Sequence, residues 1–277
     1  MAHIHPTAVI SGDVQLADDV VVGPYCVLAG RVRVGPSCTL VSHVHLHGPL
    51  WMGKANICYP GVCLGFAPQD LKFDSSKDGA GLVIGDGNTF REHCTIHRAT
   101  KEDRPTTVGN RNYWMANSHA GHDVQVGSDC ILANGTLLAG HVQVGDRVVF
   151  GGACVVHQFV RIGRGCMISG LVGTGGDLCP FFTLTGINVA GSLNLVGMRR
   201  AGMSRDDIDA ARWCYRIICR SGLMPKQAIE RLRERENLPM VREYIDFLSS
   251  AKRYVATRRG RRVGGTVGSS ADDSSDA

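Results

Sequence analysis

The chain has 277 residues, 44% hydrophobic and 20% charged, so it can bury a core in one or two domains as a soluble protein does. It contains no apolar run of about 18 residues and opens without a basic or apolar leader, so a cytoplasmic protein with no membrane span is expected. The net charge of +5 is uneven: residues 199–262 carry 17 Lys and Arg against 8 Asp and Glu, and residues 1–198 carry 13 against 14. These basic residues are not interleaved with stacking aromatics, which argues against nucleic acid and leaves an anionic surface or an acidic protein as partner.

From Ile4 an aliphatic residue returns at every sixth position as far as Leu64, and the series resumes at Ile84 and runs to Thr174. Of these 27 positions 25 are apolar, where a 44% composition would give about 12, so the period belongs to the fold and not to composition. Four residues later stands a small or β-branched residue, among them Cys26, Cys38, Cys94, Cys130, Cys154 and Cys166, where cysteine serves as a small buried hydrophobe. The eleven cysteines are odd in number and include no CxxC pair, so neither a disulfide framework nor a zinc knuckle is expected. Gly or Ala often follows the aliphatic residue, as at Gly23, Gly109 and Gly145, which suits a tight corner. Units with one large and one small inward residue describe the edges of a triangular parallel β-helix, three to a coil, with strands about 4.8 Å apart.

Residues 66–83 break the register, since Leu64 and Ile84 are not a multiple of six apart, and are read as an extruded loop. Around Lys101 to Pro105 the register holds but puts Glu102 at an inward position, which predicts a local bulge. Beyond Pro180 the spacing turns helical. Ser204 with Asp207 forms a capping box for "RDDIDAARWCYRIICRSG", and "PKQAIERLRERE" and "MVREYIDFLSSAKRYV" fit two more helices. The expected organisation is a β-helix over 1–190, a small α-helical domain over 191–255 and a Gly-, Ser- and charge-rich disordered tail over 256–277.

A β-helix of this kind has no cavity of its own, so chemistry must lie on its faces, in extruded loops or between copies. The stretch "NSHAGHDVQVG" sets His119 and His122 three apart, with Asp123 directly behind. Alone it fits half a metal site, a base with its support, or surface decoration. In "SHVHLHG", strand alternation puts His43, His45 and His47 on one face, which looks like a metal trap and is read as solvated surface.

Taken together, "GFAPQDLKF", "IGDGNTFREHCTIHRAT", "NSHAGHDVQVG", "ILANGTLLAGHVQVGD", "FGGACVVHQFVRIG" and "GMRRAGMSRDDI" closely resemble the acyl-carrier-protein-dependent UDP-N-acetylglucosamine O-acyltransferases of lipid A biosynthesis. The resemblance covers about residues 1–255, in the family's order and nearly its spacing. It implies a left-handed parallel β-helix followed by a small C-terminal α-helical domain, and a homotrimer with grooves between subunits. It further implies transfer of a 3-hydroxyacyl chain from acyl carrier protein to the 3-OH of UDP-N-acetylglucosamine, the first step of that pathway, with no metal or cofactor. By the same matching His122 is the general base, Asp123 its support and Gly140 the backbone oxyanion donor. Asp70, Lys72, His97, His119, His141, His157, Gln158, Asn194, Arg199 and Arg200 match substrate-binding positions, and Gly170 matches the position that limits acyl length. A glycine there implies a longer chain. Ala201 and Val196 depart from the family's usual arginine and acidic residue, and "TGINVAGSLN" is one residue shorter. The basic helices are expected to dock acyl carrier protein. The alternatives are an N-acyltransferase on a related UDP-amino sugar, and a γ-carbonic-anhydrase-like metalloenzyme with His97, His119 and His122 as ligands.

Overall fold

The computed structural model describes residues 1–257. Strands of two to five residues wind into three sheets: a first of eleven strands beginning at His3–Ile4, a second of nine beginning at Val9–Ser11 and a third of eight beginning at Val14–Leu16. Pairing between coils is parallel, as in His3 with Val21 and Val9 with Val27, which makes a parallel β-helix of about ten coils. From Val22 onward the inward positions of the six-residue series form its core, with Leu28, Leu46, Leu64, Phe90, Trp114 and Leu132 fully buried, whereas Ile4 and Ile10 of the first coil are exposed. Cys26, Cys38, Cys94, Cys130, Cys154 and Cys166 are buried free thiols in the small track. Polar residues in that track pair with one another: buried Asn88 donates to Asn56 Oδ1, and Asn112 to Asn88 Oδ1, both at 3.0 Å. Such mutual pairing is what makes their burial tolerable.

Each coil turns three corners, and in one coil Asn117, Asp123 and Asp129 take them with φ near 60°. Asn and Asp suffer least in this left-handed region because their short side chains can bond locally. We call the corners first, second and third, lying after the first, second and third sheet.

The two register features resolve differently. Strands Cys63–Phe66 and Leu82–Ile84 confine the first extrusion to residues 67–81. Buried Arg98 fastens it, donating to the carbonyls of Gly65, Ser75 and Lys77. The second feature is a true extrusion, and Glu102 is exposed at its tip rather than inward. Strands Thr95–His97 and Thr106–Val108 bound it, and Thr89 pairs with Tyr113, 24 residues on (113 minus 89), where a plain coil takes 18. An insertion of six residues is one whole unit, so it leaves the six-residue series unbroken. Glu102→Val is therefore expected to change stability by no more than about 0.5 kcal/mol. Trp114→Ala, which empties the largest fully buried side chain, should cost roughly 3–5 kcal/mol. Thermal unfolding of both variants checks this, and comparable losses would return Glu102 to the core.

After the last coil the antiparallel hairpin Phe182–Gly186 and Val189–Leu193 closes the first sheet and crosses position 190. Helices α1 (Leu195–Arg200), α2 (Arg205–Arg220), α3 (Pro225–Arg233) and α4 (Pro239–Ser249) follow. Ser204 caps α2, its hydroxyl accepting from the Asp207 N–H at 3.1 Å. Helix α1 takes in the "GMRR" of "GMRRAGMSRDDI", and α4 ends short of Val255. Val255 instead bridges to Asp177 and Thr257 to Val189, with Ala256 and Thr257 buried. The chain is thus still packed where the tail was expected to begin, and the remainder of that tail lies outside the described residues. Among the described residues no helix is long and apolar enough to cross a membrane.

Candidate active site

At the second corner three successive coils put His122, Gly140 and Gln158 in register and, one residue on, Asp123, His141 and Phe159. Both extrusions leave the β-helix at this corner, each joining a second-sheet strand to a third-sheet strand. Asp70 of the first and Lys101 of the second lie near enough to act electrostatically on the His141 ring, in opposite senses.

His122 Nδ1 lies 2.7 Å from Asp123 Oδ2. The same oxygen accepts from the Thr100 hydroxyl at 2.7 Å and the Thr100 N–H at 3.2 Å, and the Asp123 N–H donates to Thr106 Oγ1 at 2.8 Å. Thr100 and Thr106 bracket the second extrusion, so Asp123 ties its two ends together. A carboxylate on Nδ1 keeps the proton of neutral imidazole there and leaves Nε2 as the acceptor. A Cβ on Gly140 would stand 2.8 Å from His122 Cε1 and 2.9 Å from Nε2, so only glycine lets ring and backbone approach this closely. The Gly140 N–H has no hydrogen-bond partner among the described residues. His141 stacks on Phe159, ring centroids 4.4 Å apart and planes 7° from parallel, and meets the His122 ring edge-on at 5.0 Å.

Burial alone would raise the Asp123 pKa, but hydrogen bonds from His122 and Thr100, helped by His141, outweigh it and hold it down at about 2. That carboxylate is ionised at any neutral pH. Burial lowers His141, with Asp123 opposing, and lowers His97. His119 is taken down to about 4 by burial and then by His97. The last two are outward residues of adjacent second-sheet strands, with rings 5.3 Å apart and His119 Nδ1 2.7 Å from Thr95 Oγ1.

A family model described as UDP N-acetylglucosamine O-acyltransferase, domain 2, matches residues 177–256, and one described as bacterial transferase hexapeptide (six repeats) matches residues 105–140. An acyl-[acyl-carrier-protein]–UDP-N-acetylglucosamine O-acyltransferase from Stutzerimonas stutzeri is 42% identical over 84% of this chain and 91% of its own length. The protein of the same name from Gloeothece citriformis is 38% identical over 93% of this chain and 92% of its own. The chain belongs to this O-acyltransferase family. The crystal structure of UDP-N-acetylglucosamine O-acyltransferase from Moraxella catarrhalis RH4 aligns with a TM-score of 0.86 at 38% identity, covering 91% of this chain and 99% of that one.

The metalloenzyme alternative falls with this assignment. Among the described residues the group with ligand atoms all within 4.8 Å of one another is His122, Asp123 and His141, not His97, His119 and His122. His43 lies at the first corner with its ring 5.0 Å from that of Tyr25, whereas His45 and His47 lie on a second-sheet strand, and the three form no such group.

The O-acyltransferase does not gather all its matched residues at one corner. His157 and Gln158 are exposed one coil beyond His141, and the Lys72 N–H donates to Asp70 Oδ1 at 2.9 Å in the first extrusion. Gly170, however, lies at the first corner, where a Cβ would meet the Gly152 carbonyl at 3.4 Å. Asn194 caps α1, accepting from the Gly197 N–H at 2.9 Å and donating to the Gly165 carbonyl of the third corner at 2.9 Å. Arg199 and Arg200 are exposed in the last turn of α1. Thr100, Thr106 and Phe159 were not expected from the sequence.

Proposed function

We propose that the chain transfers an acyl group, 3-hydroxyacyl in kind, from acyl carrier protein to the 3-hydroxyl of UDP-N-acetylglucosamine, the first step of lipid A biosynthesis. The observation that carries this is the His122–Asp123 pair set against the unbonded N–H of Gly140. Asp123, ionised and fixed by Thr100, holds the proton on His122 Nδ1. Nε2 then takes the proton of the sugar hydroxyl as its oxygen attacks the thioester carbonyl. The Gly140 N–H meets the oxygen that becomes negative, and Asp123 stabilises the imidazolium. Collapse expels the thiolate, which takes its proton back from His122. No cofactor enters these steps, because the acyl chain arrives on the phosphopantetheine arm of the carrier.

Base, length-limiting Gly170 and Asn194, which caps α1, lie on three edges of the prism, so one complete site needs residues from more than one copy. A cytoplasmic homotrimer meets that need, and the exposed Val21, Ile57, Ile131, Leu137 and Val155 on the first and second sheets offer apolar surface for its contacts. The open position at Gly170 favours a longer acyl chain.

The deciding assay gives purified protein a panel of acyl carrier-protein thioesters and both the 3-hydroxy and 3-amino sugar nucleotides. Transfer confined to the 3-amino acceptor would replace the ester with an amide and sink this proposal. Arg216 and Arg220, which line a cavity with Leu193 and Tyr215, form the docking face for the acidic carrier. Arg216→Glu should raise the KM for acyl carrier protein by about tenfold and that for the sugar nucleotide by less than about twofold. An unchanged carrier KM would move docking elsewhere.

A further inference from the structure

Beside the second corner, the outer face of the third sheet is walled on two sides. The second extrusion stands on one, the segment following α4 on the other, and between them lies a cavity of about 670 Å³. That volume suits a phosphate with part of its linker better than a lone ion. Lys101 and Arg104 reach it from the extrusion, Lys252 and Arg253 from the C-terminal segment, and its inner end is made by Asp123 and His141. It therefore reaches Asp123, the partner of His122.

Its charge is unbalanced. Asp177 is already matched by Arg161 at 2.8 Å, and Asp123 is taken up by His122 and Thr100. Asp103 alone remains against four cations, and Lys101, Arg104 and Lys252 make no ion pair among the described residues. Like charges brought from opposite ends of the sequence to one concave wall repel, unless an anion sits among them. The wall is also held in place. Gln125 accepts from the Thr107 hydroxyl at 2.7 Å and donates to the Pro105 carbonyl at 2.7 Å, which pins the extrusion to the sheet, and Arg253 Nε donates to the Gly175 carbonyl at 3.1 Å.

We propose that this cavity is a phosphate subsite, gripping the phosphodiester or diphosphate of one substrate while its reactive end lies at His122. The inference rests on the function proposed above, under which both substrates carry such a group. The pantetheine arm is esterified through a phosphodiester, and the sugar is linked through a diphosphate. Position favours the arm, because the cations lie on the third-sheet side of the corner and His97 and His119 on the second-sheet side.

The test compares wild type with the double variant Arg104→Gln, Lys252→Gln, whose altered side chains are exposed and hold nothing in place. Calorimetry measures binding of 4′-phosphopantetheine, pantetheine and UDP, and kinetics compare acyl-phosphopantetheine with acyl-pantetheine as minimal donors. Wild type should favour the phosphorylated forms by about tenfold, a preference that weakens with salt and is erased in the variant through KM. If the variant weakens UDP binding and raises the KM of the sugar nucleotide instead, the subsite stands and belongs to the diphosphate. Equal affinity of wild type and variant for all three probes overturns it. Absence of transfer to UDP-N-acetylglucosamine by wild type would fail the functional proposal alone, since the binding titrations still decide the cavity.

Discussion

His122→Ala should lower kcat/KM by about three orders of magnitude, inside the range of roughly 10²–10⁴ that a positioned base contributes. The loss should fall on kcat, because the imidazole, as the proposed base, would act on the proton that moves in the transition state and would anchor neither the nucleotide nor the carrier. No neighbour can take its place. His119, held down to about 4, and His97, also lowered by burial, lie on the second-sheet face, and His141 is stacked against Phe159. Folding should be intact, since the inward side chains flanking the corner, Ala120 and Val124, are untouched and Asp123 keeps both bonds from Thr100. Steady-state rates with both substrates, beside circular dichroism spectra of the two proteins, check this. A variant within tenfold of wild type would leave Asp123 supporting a residue that does not act as base.

The parts of the molecule legible in the sequence are those that the six-residue period can express. It gives the inward track from Ile4 to Thr174, explains the buried cysteines, and marks the first extrusion because that insertion is out of step with it. The second extrusion is in step and stays hidden, with Glu102 posing as a core residue. The period also gives the phase of a residue within a corner but not which of three corners it occupies. His122 and Gly170 each stand two places after an inward residue, Ala120 and Ile168, yet lie on different edges. Matching to a family named both without revealing that one chain keeps them apart. The grip of Thr100 on Asp123 depends on how an extruded segment closes back on the sheet, and the meeting of Lys101 with Lys252 on the path of the chain after α4. Neither is a local property of sequence. The stack of Asp123, His141 and Phe159 was readable in principle, because all three share one corner phase on successive coils.

Gly140→Ala is the sharper test of the site, because it should separate catalysis from folding. Gly140 does not occupy the left-handed region, so alanine meets no backbone penalty, and its restriction of the unfolded chain offsets part of what the new side chain costs the fold. Its Cβ would nevertheless stand 2.8 Å from Cε1, 2.9 Å from Nε2 and 3.3 Å from Nδ1 of His122. The ring cannot yield without lengthening its 2.7 Å contact with Asp123, and Asp123 cannot follow because Thr100 and Thr106 hold it. The proposed base and oxyanion donor are therefore pushed apart, so the hydroxyl that His122 would deprotonate no longer lines up with the carbonyl whose oxygen Gly140 would meet, and the rate should fall by about 10² or more. Gly186→Ala in the hairpin turn, where the added carbon would meet Val189 at an ordinary 3.6 Å, serves as the control and should keep both rate and melting temperature. A slow Gly140→Ala enzyme with an unchanged or raised melting temperature locates the damage in the His122 ring. If the melting temperature falls with the rate, the strain has lifted the coil itself, and if the rate is that of wild type, the close approach of this glycine has no part in the chemistry.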